Sequence, residues 1–158
     1  MSHLLTQCKE KTSQLIWSLV KNFWPHRNIP WPEIDLGTIL GCGCINMRPI
    51  GPARNNQQRR KKVTHRSPTR LFQILLLESA YLIWVLRCER VIQEKTIMEK
   101  EISTRWHHVI NERLTIDEVT VMKLVWDQKH MELIKGTWEL ARAKQEETRR
   151  TSQVRVRF

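Results

Sequence analysis

The chain alternates long stretches of helical periodicity with short breaks rich in proline, glycine or charge. From Leu4 to Trp24, the apolar residues Leu15, Ile16, Leu19, Val20 and Phe23 recur at helical spacing. Pro25 ends that helix. "PHRNIPWPEIDLG" follows, with three prolines that forbid regular structure and predict an extended connector. Trp31, between Pro30 and Pro32, is expected to be pinned against the core. Asp35 can cap one short turn. Gly37, Gly41 and Gly43 then punctuate "GTILGCGC". No strand precedes this cluster and no Gly-Lys-Ser/Thr closes it, so it reads as a tight turn and not a phosphate loop.

A central helix is predicted from Pro68 to about Glu94. Ser67 suits its N-cap and Pro68 its first position. It is apolar on nearly every side as far as Leu86, which marks a central helix. Glu78 within it calls for a basic or amine partner from elsewhere. A third helix is predicted from Lys100 to Arg113, with Ile102, Trp106, Val109, Ile110 and Leu114 inward. Thr115 to Glu118 spells a T-x-x-E capping box. It predicts a fourth helix bearing Val119, Met122, Leu124 and Val125. A last helix carries Met131, Leu133, Ile134, Trp138 and Leu140, and its tail is expected to fray. No strand pattern emerges. The predicted fold is mainly α, an irregular helical domain with a long central apolar helix and a mobile basic loop. The expected segments are 1–24, a connector and basic loop over 25–66, a helical domain over 67–144, and a basic tail over 145–158.

Charge changes this picture. The net charge is +11 over 158 residues, a balance that favours polyanionic partners. Much of it comes from residues 47–66, where Arg48, Arg54, Arg59, Arg60, Lys61, Lys62 and Arg66 have no acidic residue among them. Such a stretch buries too little apolar surface to offset its ordering entropy. The apolar run Leu71 to Leu86 is interrupted by Gln73 and Glu78 and falls short of the roughly 20 residues of a membrane span. No membrane partner is expected. Four cysteines are too few for a disulfide scaffold. The N-terminus lacks the pattern of a signal peptide. An intracellular location, nuclear or cytoplasmic and not secreted, is expected.

Candidate chemistry is sparse. Nuclease or polymerase chemistry needs carboxylates converging on metal, and Asp117 and Glu118 read as acids favoured at a helix start. His107 and His108 read as surface or boundary residues. His3 and Cys8 have H-x4-C spacing, half of a tetrahedral zinc site. The other half would be Cys42 and Cys44, a cramped pair, or residues upstream of Met1.

The order of "HLLTQCKEKTSQLIWSLVKNFWP", "WPEIDLGTILGCG", "SPTRLFQILLLESAYLIWVLRCERVI" and "RWHHVINERLTID" resembles the C-terminal region of fungal non-LTR retrotransposon proteins. The likeness runs from His3 to Trp138 and is most specific from Arg70 to Ile92. Tyr81 stands where that family often has histidine. In the family, reverse transcriptase and usually RNase H domains lie upstream, followed by a zinc-knuckle-like motif. The resemblance places His3 and Cys8 on the last two knuckle positions and implies a chain truncated within that motif. It implies no cofactor for this chain, with zinc bound only if the upstream cysteine pair is restored. It also implies no catalytic residues, because the parent's catalytic domains are absent from these residues. Two functions follow as expectations. One is non-specific binding of RNA, single-stranded DNA or RNA–DNA hybrid through the basic loop, with Trp24 and Trp31 either stacking bases or buried. The other is a helical scaffold that packs on the upstream domains of the parent polyprotein.

Overall fold

The computed structural model describes residues 11–48, 66–123 and 128–155. Those residues form helices α1 (Lys11–Phe23), α2 (Leu36–Leu40), α3 (Arg66–Ile92), α4 (Glu99–Lys123) and α5 (Gln128–Arg155), with a 3-10 turn at Cys42–Cys44. The fold is mainly α, and no strand occurs among the described residues.

Helix α3 is the axle. Leu71, Phe72, Leu75 and Leu76 are wholly buried on it, and Leu82, Ile83 and Leu86 nearly so. It touches α1, α4 and α5, and α1 in turn packs on α4 and α5. Helix α1 buries Ser13, Ile16 and Val20, a stripe at helical spacing, and ends before Pro25. The Trp24 indole then donates to the Ile29 carbonyl at 2.6 Å, which turns the connector back. Trp31 is held as its position predicts: its ring lies 5.0 Å from Phe72 and 5.3 Å from Trp24. Across the chain, the Lys144 ammonium donates to the Trp24 carbonyl at 2.7 Å, satisfying an acceptor at the end of α1.

Several sequence expectations are corrected. Helix α4 runs unbroken through Thr115, so the third and fourth predicted helices are one. The Thr115 hydroxyl donates back to the Asn111 carbonyl at 3.0 Å within the helix and caps nothing. Val119 and Met122 point outward, with Met122 84% exposed, and Asp117 takes the buried place. Leu124 and Val125 lie outside the described residues. Ser67 is not an N-cap either. Helix α3 already includes Arg66, and Ser67 is buried where α3 crosses α5. There a Cβ on Gly136 would stand 2.9 Å from the Ser67 hydroxyl, so glycine permits the close approach. Met131 and Leu140 are exposed on α5, and Ile134, Thr137, Trp138 and Ala141 carry its buried face. The tail is helical to Arg155 rather than frayed. Glu78 is only half-buried, so water reaches it.

Helix α3 is long and apolar enough to cross a membrane by length and composition, and 56% of its most apolar window is buried against the rest of the molecule. Its outer face shows Leu77, Tyr81, Trp84, Val91 and Ile92, between 47% and 77% exposed. Tyr81 and Trp84 stack at 5.9 Å.

The turn from α3 to α4 holds Glu94 at φ 52°, in the left-handed region. The Glu89 carbonyl accepts from the amides of Gln93 and Lys95 around it. A Cβ there costs roughly 1 kcal/mol. Glu94→Gly is therefore expected to raise the unfolding free energy by about 0.5–1 kcal/mol in urea titrations. The Arg105 guanidinium meets the Glu89 carboxylate with two hydrogen bonds of 2.7 and 2.6 Å and fixes α4 against α3 just before that turn. Glu89 is held below the usual carboxylate range by the Arg105 hydrogen bond, and Arg105 is raised in return.

Candidate nucleic-acid interface

Of the acid-free basic segment 47–66, the structure describes Met47, Arg48 and Arg66. Both ends are anchored at one place. The Asp35 carboxylate caps α2 by accepting from the Thr38 amide and hydroxyl, each at 2.6 Å. These bonds hold its carboxyl below the ordinary value. The chain then tightens through the Cys42–Cys44 turn, whose Cys42 carbonyl accepts from the Gln73 side-chain amide of α3 at 3.0 Å. Met47 is buried, and its amide donates to the Thr69 hydroxyl at 3.0 Å. Thr69 in turn donates to the Asn46 side-chain oxygen at 3.2 Å. Met47, near one end of the basic segment, thus stands one hydrogen bond from Thr69, one turn of α3 beyond Arg66 at the other.

Beside this junction lies an open hollow of about 460 Å³, lined by Asn46, Arg66, Thr69, Arg70 and Gln73, with Ile45 and Leu133 as apolar walls. Gly43 and Cys44 also line it, and no carboxylate is among the described lining residues. Arg66 is exposed at the rim.

Arg70 is the exception, because its charge is already answered. Its Nη2 donates to Asp117 Oδ1 at 2.9 Å. Its Nη1 lies 2.7 Å from Oδ2, off the hydrogen-bonding direction. The Trp138 indole donates to the same Oδ2 at 2.7 Å. Asp117 is 5% exposed. Burial alone would raise its pKa, yet the bonds from Arg70 and Trp138 and the charges of Arg70 and Arg113 outweigh burial, and its carboxyl lies below the usual range. This cluster ties α3, α4 and α5 together, and its Arg70 lines the hollow. The helix-start role expected for Asp117 and Glu118 is corrected. Both sit inside α4, and Glu118 pairs with Arg142.

Of the predicted contacts, Arg66 stands at the hollow. Arg54, Arg59, Arg60, Lys61 and Lys62 lie outside the described residues, as do His3 and Cys8. Cys42 and Cys44 are free thiols on the turn. Among the described residues, no three His, Cys, Asp or Glu side chains converge as a metal site. Trp24 is 7% exposed and Trp31 half-buried, and both pack on the core. His107 and His108 are exposed on α4. Sequence reasoning passed over Asn46, Thr69 and Gln73. No local motif marks them, and they meet only because residues 42–47 bond to α3.

No protein-family model, curated protein or solved structure matches this chain.

Proposed function

We propose that this chain is a nucleic-acid-binding helical module of the retrotransposon reverse transcriptase and RNase H kind, non-catalytic in itself. The reading rests on one observation above the rest. Seven basic residues share an acid-free stretch of the sequence, 47–66, and its described ends meet at the Met47–Thr69 bond, beside a hollow whose described lining holds no carboxylate. Cationic side chains neutralise backbone phosphates without regard to sequence. The best-placed acids for metal chemistry are otherwise engaged, Asp117 with Arg70 and Trp138 and Glu118 with Arg142.

The test is a fluorescence-anisotropy titration with single-stranded RNA, single-stranded DNA and an RNA–DNA hybrid, starting at about 50 mM salt. Salt-sensitive binding to one or more of them is the expected result. No binding at low salt removes this reading. Magnesium-dependent cleavage of the hybrid that disappears in Asp117→Asn or Glu118→Gln would overturn the non-catalytic part.

A second reading has its own observation. The outward stripe of Leu77, Tyr81, Trp84, Val91 and Ile92 on α3 is a contiguous apolar face of the kind that marks interaction surfaces. It fits a scaffold that packs on other domains of a parent polyprotein. Failure of the binding experiment would leave this reading standing.

A further inference from the structure

We propose that the hollow between the Cys42–Cys44 turn and the start of α3 seats one unpaired nucleotide, so that the chain prefers single strands to duplex; this rests on the nucleic-acid reading above. Its volume of about 460 Å³ lies within the range of small-ligand sites, roughly 300–1,000 Å³. Its chemistry is mixed in the way a nucleotide requires. Ile45 and Leu133 offer apolar walls for the flat faces of a base. The Asn46 side chain accepts from Thr69 through its oxygen, which leaves the NH₂ group as a donor. The Gln73 side chain donates its NH₂ to the Cys42 carbonyl, which leaves the oxygen as an acceptor. A donor and an acceptor in one recess match the edge of a base, which carries both. Arg66, exposed at the rim, is placed for the phosphate of that nucleotide. Arg70 is held by Asp117 and supplies a fixed wall rather than a phosphate contact.

A lone phosphate is a poorer fit, because a phosphate wants donors only, and the recess also presents the Gln73 acceptor and two apolar walls. Duplex is a poorer fit for another reason. A paired base has its edge engaged and its faces stacked, and it enters a recess only by being flipped out. An unpaired base enters directly.

Gly43 provides a clean test. It lines the hollow, its φ is not in the left-handed region, and a Cβ built there meets nothing within 4 Å. Gly43→Phe should therefore be accommodated without disturbing the fold and set a bulky ring at the lining of the hollow. The probes are a mixed-sequence single-stranded RNA of about 12 nucleotides, within the usual site size of single-strand binders, and the blunt duplex of the same sequence. Three proteins are compared: wild type, Gly43→Phe, and a variant with Arg59, Arg60, Lys61 and Lys62 all changed to Gln.

Wild type is expected to bind the single strand at least about tenfold more tightly than the duplex, the ratio that a difference of about 1.4 kcal/mol produces. Gly43→Phe should bring the single strand to within about threefold of the duplex and leave duplex affinity unchanged, a difference of roughly 0.6 kcal/mol by the same conversion. The four-residue variant should weaken both. Asn46→Ala is the gentler companion, expected to weaken single-strand binding alone should Gly43→Phe fail to fold. Equal affinities in wild type, or a preference that survives Gly43→Phe and Asn46→Ala, overturn the nucleotide site and leave the nucleic-acid reading intact. Absence of all binding by wild type overturns both.

Discussion

Asp117→Ala is expected to lower the unfolding free energy by about 3–5 kcal/mol, the usual cost of breaking a buried pair by removing one partner. The carboxylate is buried and holds Arg70 of α3 and Trp138 of α5 from its place on α4. Its removal strands a guanidinium that is only 23% exposed and an indole N–H that is buried with it. Asp117→Asn should cost less, because the amide oxygen can still accept from Trp138 while the charge on Arg70 goes unanswered. Urea unfolding followed by circular dichroism measures both. A change within about 0.5 kcal/mol for Asp117→Ala, the range of an ordinary surface substitution, would show that the cluster does not hold the three helices.

The same residue gives a pH signature. Its folded pKa lies below its unfolded value, which is about 3.9 for aspartate. A group of that kind contributes its stability above the unfolded pKa and loses it as pH falls through the folded one. Wild type should therefore lose stability below about pH 4 more steeply than Asp117→Ala. The gap between the two unfolding curves should narrow between pH 7 and pH 3.

The second large effect concerns salt. Arg48, Arg54, Arg59, Arg60, Lys61, Lys62 and Arg66 provide seven cations in one acid-free stretch of sequence. If all seven meet phosphates of a single strand, log affinity falls against log salt with a slope of about −5, at roughly 0.7 per contact. Raising salt fourfold, from about 50 to 200 mM, should then weaken binding on the order of a thousandfold. Changing Arg59, Arg60, Lys61 and Lys62 to Gln removes four contacts and should make the slope shallower by about 3. An unchanged slope in that variant would place the phosphate contacts elsewhere on the molecule.

Residues whose structural role is local could be read from the sequence. Asp35 caps its turn, Pro25 follows the end of α1, and the stripe of Ile16 and Val20 faces inward. Trp31 is pinned because prolines on both sides leave it few conformations. Residues whose role depends on a distant partner could not be read this way. Asp117 looks like a polar helix residue until Arg70, 47 positions away, is brought beside it. The apparent need of Glu78 for a basic partner dissolves because its side of α3 reaches water. Thr115 and Glu118 have the spacing of a capping box, yet the spacing is equally compatible with a helix interior. There the threonine hydroxyl bonds to the carbonyl four residues back. The hollow is legible only in part. Its charge is plain in the sequence, whereas its polar lining depends on the closure between Met47 and Thr69.

The bond from Lys144 to the Trp24 carbonyl joins positions 120 residues apart. Helix α1 has only 13 residues and finds its packing partners in α3, α4 and α5. An isolated helix of that length is marginal in water. During synthesis α1 therefore emerges before α3, α4 and α5 and waits for Lys144 before its terminal carbonyl is answered. Its apolar stripe stays open to other company for that interval. Helix α1 is thus secured only by residues made long after it, and a nascent chain stalled before Lys144 would expose a surface that the finished molecule hides.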